Sequence, residues 1–243
     1  MTASGPGAEW IARANSRAIG HTEFRQVTMM IGGHKGGRSL EIRTLRQLDA
    51  GVCRTLFCVM EPRMFRGVSY VAEESRGKFA MDVILYLPYV VGTVRGIPPD
   101  RCGETFLGSD FSYDDMRTWL PEAGFHYHEP IVHRDKVCVR GQRVNDTITW
   151  RHRGGPFVVH LDPESAFVTG IDYLDDTDAT QRAMRIPART MIHGIDMPVE
   201  IEMATRSTTT TLFLQKAQID FEVDPVVFAR SECARRHDYL SVL

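Results

Sequence analysis

The chain has 243 residues, a formal net charge of -2 and 43% hydrophobic residues, which predicts an ordinary globular protein. Because such a chain has no positive field that collects phosphates, nucleic acid is not an expected partner. A membrane-spanning helix needs about 20 consecutive apolar residues. The most apolar run, residues 83–91, is far shorter and contains Pro88, so no transmembrane segment is predicted.

The N-terminus and the cysteines bear on where the protein works. Residues 1–20 lack a basic start followed by a hydrophobic stretch and a small-residue cleavage site, so no export signal is predicted. The five cysteines are odd in number and show no Cys-x-x-Cys spacing, which favours reduced thiols. Both features predict a cytoplasmic protein as the sequence stands. A trimmed native N-terminus would instead allow a periplasmic or other extracytoplasmic location.

The first half of the chain predicts one helix and then a series of strands. Residues 7–20 place Trp10, Ile11, Ala14 and Ala18 on one helical face and end at Gly20, as in an amphipathic helix. Strand-like runs separated by turn residues follow at 24–31, 38–48, 54–60, 68–73, 82–89 and 93–97. Aspartates in its first turn predict an inserted helix at about 110–120.

The second half predicts further hairpins and a closing helix. Its strand-like runs are 125–132, 136–143, 148–153, 157–161, 167–174, 188–193, 199–205 and 210–220, with 148–153 pairing 157–161. A short helix is predicted at about 225–235. Since strands do not alternate with regular helices, a doubly wound sheet is disfavoured and an antiparallel meander is favoured. We therefore expect a single, mostly β domain over residues 1–243.

The most distinctive segment runs from Phe106 to Met116 and reads FLGSDFSYDDM. It follows Leu85-Tyr86-Leu87-Pro88 and Val94-Arg95. This arrangement resembles the LolA-like outer-membrane lipoprotein-sorting family, whose members carry a tyrosine-leucine-proline strand, a basic strand and a glycine-serine-aspartate block. Shorter matches at 56–62, 66–67 and 211–228 extend the resemblance over nearly the whole chain. The fold it implies is a curved antiparallel incomplete β-barrel with a few covering helices.

The resemblance also implies a function. A half-barrel that its own side chains do not fill encloses a hydrophobic cavity. The expected role is binding an elongated acyl, lipid or polyketide-like ligand, as a carrier or chaperone. The alternative is a cofactor-independent cyclase or isomerase of secondary metabolism, for which a cytoplasmic LolA-like enzyme of violacein biosynthesis is a precedent. No cofactor is predicted for either role, and the sequence leaves the oligomeric state open.

Two sets of candidate site residues follow from this interpretation. Large apolar residues of the strands are expected to point inward, although core packing explains any single one of them equally well. The ligand-binding candidates are Arg46, Phe57, Val59, Leu85, Tyr86, Arg95, Phe111 and Phe213. Further inward candidates are Met29, Ile31, Leu40, Ile42, Val83, Val158 and Leu214. If the cavity performs chemistry, the catalytic candidates are Asp110, Tyr113 and Glu61.

Two clusters also have structural interpretations. Asp110, Asp114 and Asp115 could supply an acid and base pair, but a helix start with Asp110 or Ser112 as its cap is favoured. His126 and His128 share one strand face, and His133 is nearby, as in a minimal zinc site. Because no cysteine or carboxylate has ligand spacing to these histidines, no metal is predicted.

Overall fold

Residues 3–32, 37–78, 81–90, 92–144 and 155–243 are described in the computed structural model. Helix α1 spans Ala8–Asn15 and helix α2 spans Arg236–Ser241. The strands of the described residues are β1 (Thr22–Ile31), β2 (Arg38–Asp49), β3 (Val52–Glu61), β4 (Ser69–Ser75), β5 (Met81–Leu87), β6 (Thr93–Ile97), β7 (Phe125–Tyr127), β8 (Ile131–His133), β9 (Lys136–Arg143), β10 (Phe157–Leu161), β11 (Val168–Leu174), β12 (Thr180–Ile192), β13 (Ile195–Thr205) and β14 (Thr209–Ile219).

These strands form one antiparallel sheet in the order β6-β5-β4-β3-β2-β1-β14-β13-β12-β11-β10-β9-β7, with β8 added beside β9. Strands β1 and β14 pair in the middle, so the two halves of the meander join there. In the described part of the chain, β6 and β7 stand at opposite ends of this order, and the sheet does not close into a barrel. The predicted mostly β, antiparallel and incompletely closed fold is confirmed.

The curvature of the sheet has a local cause. The strand register shifts between Gln26 and Val27, between Glu41 and Ile42, and within β12 between Arg185 and Ala188. Each such bulge bends its strand and increases the local twist. Strands of 10 to 13 residues can therefore wrap around a concave face instead of lying flat.

The strands bury side chains on both faces of the sheet. On the concave face, Met29, Leu40, Ile42, Val59 and Val83 belong to the main core, as predicted. On the convex face, Phe24, Leu45, Leu56 and Val71 pack beneath the C-terminal segment. That segment consists of 3-10 turns at Pro225–Phe228 and Arg230–Arg235 followed by α2. The short helix predicted at about 225–235 is therefore formed by two 3-10 turns, and α-helix begins only at Arg236.

The predicted helix at about 110–120 is wrong. Only a 3-10 turn forms there, at Asp114–Met116. The amides that a longer helix would use are bonded to other parts of the chain. The N–H of Thr118 donates to Glu74 Oε1 at 2.6 Å, and the N–H of Leu120 donates to Asn15 Oδ1 at 2.8 Å. Tertiary hydrogen bonds thus outweigh the local helical pattern.

Several strand predictions also need correction. The run at 125–132 breaks into β7 and β8, and β12 begins at Thr180 rather than 188. Residues 148–153, predicted to pair with 157–161, lie outside the described ranges, and the two edges of β10 are taken by β9 and β11. Val158, predicted to point inward, lies on the face opposite Phe157 and Val159, which belong to the concave core. A shift of one residue moves a strand side chain to the other face.

An aromatic cluster fills one part of the concave face. It consists of Phe57, Tyr70, Phe106 and Tyr113. Phe57 stacks on Tyr70 with ring centroids 4.6 Å apart, and Phe106 and Tyr113 each meet Tyr70 edge-on at 5.3 Å. Phe106 and Tyr113 come from the segment between β6 and β7. This segment therefore fills the concave face over β3 to β5 with aromatic rings.

Candidate functional site

A cavity of about 410 Å³ lies beside the aromatic cluster. It is enclosed by the concave face of the sheet, by the end of helix α1 and by residues 111–121. Its volume falls in the range of about 300–1,000 Å³ that is typical of small-molecule sites. The apolar side chains that line it are Val27, Phe57, Phe111, Met116, Trp119, Leu120, Phe125, Phe157, Phe167, Val168, Ile171, Met184, Ile186, Val199, Ile201, Leu212 and Leu214.

Strand alternation produces this lining. Leu212 and Leu214 on β14 both contribute to the cavity wall, and Ile201 on the neighbouring β13 pairs with Leu212. Phe213 lies between the two leucines and does not line the cavity. Because successive strand residues point to opposite faces, every second residue in this part of β14 faces the cavity.

One end of the cavity is closed by a buried ion pair. Arg182 on β12 donates to both carboxylate oxygens of Asp115, at 2.7 and 2.9 Å. Tyr173 on β11 donates its hydroxyl to Asp115 Oδ1 at 2.8 Å, and the N–H and hydroxyl of Ser112 both donate to Oδ2 at 2.6 Å. Burial works against the charge of Asp115, yet Arg182 and Ser112 hold the pKa of this carboxyl below its ordinary value. The bonds fix residues 111–121 over the sheet.

A second charged cluster lines the cavity at the start of β1. Glu23 is 5% exposed, and its carboxylate faces the guanidinium groups of Arg25 and Arg46. Arg46 Nη2 lies 2.7 Å from Glu23 Oε2 and also donates to the carbonyl oxygen of Ile19. Although burial works to raise it, Arg25 and Arg46 hold the pKa of Glu23 below its ordinary value. One carboxylate thus serves two arginines.

The ligand-binding candidates fall into two groups. Arg46, Phe57 and Phe111 line the cavity. Val59 is fully buried in the main core, and Leu85 is half-buried against it. Tyr86, Arg95 and Phe213 are not part of the cavity wall, and Arg95 is exposed on β6. The structure therefore brings three of the eight candidates together at one cavity.

The catalytic candidates have three separate surroundings, and none of them lines the cavity. The Asp110 carboxylate accepts hydrogen bonds from the hydroxyls of Thr208 at 2.6 Å and Thr210 at 2.7 Å. Tyr113 belongs to the aromatic cluster, where burial raises its pKa to about 12. Glu61 forms a surface ion pair with Arg66. The structure does not bring these residues together.

The contacts of Asp110 also correct its expected helix-capping role. Its carboxylate binds the β13–β14 turn, and its N–H donates to Thr210 Oγ1 at 3.0 Å. The 3-10 turn that follows has no side-chain cap. Ser112 does not cap it either, because its N–H and hydroxyl are donors to Asp115. Asp110 instead ties the segment before β7 to the opposite half of the sheet.

The histidines proposed as a minimal zinc site, His126, His128 and His133, make no more than ordinary side-chain contacts among the described residues. The rings of His126 and His128 are 5.1 Å apart, with Ser4 beside the first and Gln142 beside the second. His133 is exposed on β8. In the described part of the chain, no group of three or more histidine, cysteine or acidic residues is arranged to hold a metal ion.

A protein-family model with the description "Uncharacterized protein" matches residues 51–235. The chain belongs to that family. The comparison with curated proteins found no match. Among the helices of the described residues, none is long and apolar enough to cross a membrane.

Solved structures give the fold of this family member. A Vibrio parahaemolyticus outer membrane lipoprotein-sorting protein domain is similar with a TM-score of 0.81, at 15% identity over 93% of this chain and 96% of that one. A DUF1329 family protein from Desulfovibrio piger has a TM-score of 0.80, at 16% identity over the same shares. A LolA superfamily protein from Nitrosomonas europaea has a TM-score of 0.67, at 10% identity over 95% and 99%. The LolA-like fold predicted from the motifs is confirmed.

A cysteine, a histidine and an aspartate also meet in series on this LolA-like sheet, away from the cavity. Cys138 Sγ lies 3.4 Å from His160 Nδ1, and His160 Nε2 lies 2.7 Å from Asp172 Oδ2. Burial, and after it the charge of Asp172, raises the pKa of the Cys138 thiol. A thiol held in its protonated form is a poor nucleophile. Asp172 is also paired with Arg185. We therefore interpret Cys138, His160 and Asp172 as part of a hydrogen-bonded network on the sheet rather than as a catalytic group.

Among the charged residues of the cavity wall, the sequence analysis named Arg46, Asp114 and Asp115 but missed Glu23, Arg25 and Arg182. Glu23 and Arg25 stand in phase with Val27 and Met29 on β1, so charges continue the inward-facing series of apolar residues. The alternation along β1 could have revealed them, because polar residues that alternate in step with buried apolar residues lie on the same, inner face of the sheet. The pairing of Asp115 with Arg182 had no comparable signal, since 67 residues separate them in the chain.

Proposed function

We propose that the protein binds an elongated hydrophobic ligand in the cavity and acts as its carrier. The observation that supports this most is the cavity of about 410 Å³, whose wall is mainly apolar and formed by the sheet and residues 111–121. Removing an acyl or similar chain from water into such a wall is favourable by about 25 cal/mol per Å² of apolar surface. A carrier needs no more chemistry than this.

The surroundings of the acidic residues favour a carrier over an enzyme. Asp115 is held by Arg182, Tyr173 and Ser112, and Glu23 is held by Arg25 and Arg46. A general acid or base must exchange its proton near the operating pH. The pKa values of both carboxyls lie below their ordinary range, which suits permanently charged structural groups.

The relatives support the same class of ligand and favour one location. The Vibrio parahaemolyticus domain is described as outer membrane lipoprotein-sorting, and lipoproteins carry acyl chains. We infer a related cargo here, handled outside the cytoplasm. Fractionation of the native cells tests the location, and recovery of the protein in the cytoplasmic fraction alone would contradict it.

The ligand test uses an uncharged fluorescent lipophile, N-phenyl-1-naphthylamine. We expect its fluorescence to rise on titration into the wild-type protein and the apparent stability to rise by about 2.7 kcal/mol at a hundredfold excess over the dissociation constant. Leu212→Trp fills the cavity and is expected to weaken binding at least about tenfold. Phe213→Trp is the matched control, because it adds the same ring to the same strand on the other face.

Two outcomes oppose the proposal. A folded wild-type protein that leaves the probe dark would show that no lipophile enters. Equal binding by Leu212→Trp and wild type, with the variant's circular dichroism and unfolding transition retained, would place the probe elsewhere on the surface. Either result would reopen the enzyme alternative.

A further inference from the structure

We propose that the cavity takes an anionic amphiphile, whose carboxylate or phosphate head group is held by Arg25 and Arg46. The inference rests on the proposed function and adds the chemical class of the ligand's polar end. It is carried by the charges of the cavity wall, by the geometry around Glu23 and by the position of the two arginines next to the apolar wall.

The charges of the wall are unequal. Among the residues that the structure describes, six arginines and four carboxylates line the cavity, an excess of two positive charges. The chain as a whole has a formal net charge of -2, so this excess is local and opposite in sign to the protein. The arginines are Arg17, Arg25, Arg46, Arg117, Arg143 and Arg182, and the carboxylates are Glu23, Asp114, Asp115 and Asp196.

The arginines differ in how fully their donors are used. Arg182 makes a two-point pair with Asp115, the geometry in which guanidinium and carboxylate fit best. Arg117 pairs with Asp114 at 3.2 Å. Arg25 and Arg46, in contrast, share the single carboxylate of Glu23. An added anion could therefore bind between Arg25 and Arg46, whereas the guanidinium of Arg182 is already occupied by Asp115.

Arg46 has a donor that the protein does not use. The residue is 8% exposed, and within the described chain its Nε has no hydrogen-bond partner. A buried polar group left without a partner is costly to the fold, so a small turn of the guanidinium that brings Nε to a ligand oxygen would be favourable. The side chain of Arg25 is 24% exposed, so a ligand in the cavity can reach it.

A further carboxylate stands behind this pair. Glu74 on β4 is within electrostatic range of Arg46 and Arg117 but does not line the cavity. It accepts the N–H of Thr118 at 2.6 Å, and burial raises its pKa. Glu74 therefore faces residues 111–121 rather than the cavity and does not occupy the position of a head group.

The two arginines adjoin the apolar wall directly. Arg25 and Val27 are two residues apart on β1 and both line the cavity, a spacing of about 6.6–6.8 Å along a strand. Val27 pairs with Leu214 on β14, and Phe57 lies in the same cross-strand row as Arg25 through Thr44. When the head group lies at Arg25 and Arg46, the first part of the ligand's hydrocarbon chain thus contacts Val27, Phe57 and Leu214.

The test compares ligands that share one chain and differ in the head group. Hexadecanoate, hexadecyl phosphate and hexadecanol compete against N-phenyl-1-naphthylamine on the wild-type protein, with acetate and inorganic phosphate as head groups without a chain. We expect the two anionic amphiphiles to bind at least about tenfold more tightly than hexadecanol, because a hydrogen bond to a charged group is worth about that ratio or more. Acetate and inorganic phosphate are expected not to compete.

Removing a positive charge and removing a negative charge from the site are expected to move the preference in opposite directions. Arg46→Gln is expected to reduce the preference for hexadecanoate over hexadecanol about tenfold, and Arg25→Gln tests the same site should Arg46→Gln fail to fold. Glu23→Gln removes the competing carboxylate and is expected to tighten hexadecanoate binding. Hexadecanol binding should stay within about twofold in each of these three charge variants, provided that the variant folds.

The outcomes separate this inference from the proposed function. Equal affinity for hexadecanoate and hexadecanol, with both blocked by Leu212→Trp, would overturn the head-group site and leave the carrier intact. Competition by inorganic phosphate as strong as that of hexadecyl phosphate would assign the site to a free anion and overturn the amphiphile. Absence of binding by all three chains would overturn both proposals.

Discussion

The concave face of the sheet has two parts that were built differently from the same kind of strand. Over β3 to β5, the aromatic cluster of Phe57, Tyr70, Phe106 and Tyr113 fills the space with rings whose centroids are 4.6 to 6.5 Å apart. Beyond Phe57, the strands β14 to β11 present their apolar side chains to a cavity of about 410 Å³. Phe57 belongs to both parts, because it stacks on Tyr70 and lines the cavity.

The difference lies in what covers the strands. The segment between β6 and β7 contributes two large rings, Phe106 and Tyr113, to the filled part. Over the cavity the same segment contributes Phe111, Met116, Trp119, Leu120 and the charged side chain of Asp115, which line the wall without filling the interior. A curved sheet alone therefore does not decide between solid core and cavity. The position of the covering side chains decides it, because the segment places large rings over both parts.

The largest expected effect comes from comparing the loss of stability caused by a substitution in the filled part with that caused by one in the wall of the cavity, the open part. Phe106→Ala removes a ring that is 1% exposed and contacts three other rings, so we expect a loss of about 3–5 kcal/mol in the free energy of unfolding. Leu212→Ala shortens a half-buried wall residue beside an existing cavity, so only about 1 kcal/mol should be lost. Urea unfolding measures both. Equal losses would mean that the open part is packed as tightly as the filled part.

An intermediate effect is expected at the link between the two parts. Asp110→Ala removes the hydrogen bonds from Thr208 and Thr210 to a 9% exposed carboxylate, which predicts a loss of about 1.5–3 kcal/mol in stability. Because Asp110 does not line the cavity, binding of N-phenyl-1-naphthylamine should be unchanged in the folded variant. Thr208→Val removes one of the hydroxyls that donate to this carboxylate and should cost less. Lost binding at full stability would return Asp110 to the functional site.

The smallest effect concerns the buried carboxyl behind the cavity and depends on pH. Burial raises the pKa of Glu74 above its ordinary value of 4.5. Glu74 therefore holds a proton more tightly in the folded protein than in the unfolded chain. As a result, the folded protein gains stability from this group as the pH falls toward 4.5. At about pH 8 we expect Glu74→Gln to be more stable than wild type by about 1 kcal/mol. That advantage should shrink as the pH is lowered.

Asp115→Asn provides the control of opposite sign. The pKa of Asp115 lies below its ordinary value of 3.8, so its carboxyl is ionised in both the folded and the unfolded chain above that value, and its contribution is lost only when pH falls through the folded pKa. The deficit of Asp115→Asn should therefore stay constant over the range in which the Glu74→Gln advantage declines. A constant advantage of Glu74→Gln would contradict the raised pKa of Glu74.

The sequence by itself indicated the antiparallel meander, because short runs of alternating character separated by turn residues favour hairpin-connected strands. The bounds of β6, β9 and β10 were predicted to the residue. It also carried the LolA-like motif of residues 106–116, and the solved structures confirm the fold. Arg46, Phe57 and Phe111 could be named as cavity candidates from that motif and the strand pattern.

The tertiary structure alone decided where the cavity lies and which charges face it. Asp115 meets Arg182 across 67 residues, and Asp110 meets Thr210 across 100. Such contacts depend on strand register, on bulges such as that at Gln26 and Val27, and on the path of residues 106–121 across the sheet. A local pattern fixes which side chains alternate, but one residue of register moves each of them to the other face. Phe213 and Leu214 were both expected inside, although neighbouring strand residues face opposite sides; Leu214 lines the cavity together with Leu212, and Phe213 does not.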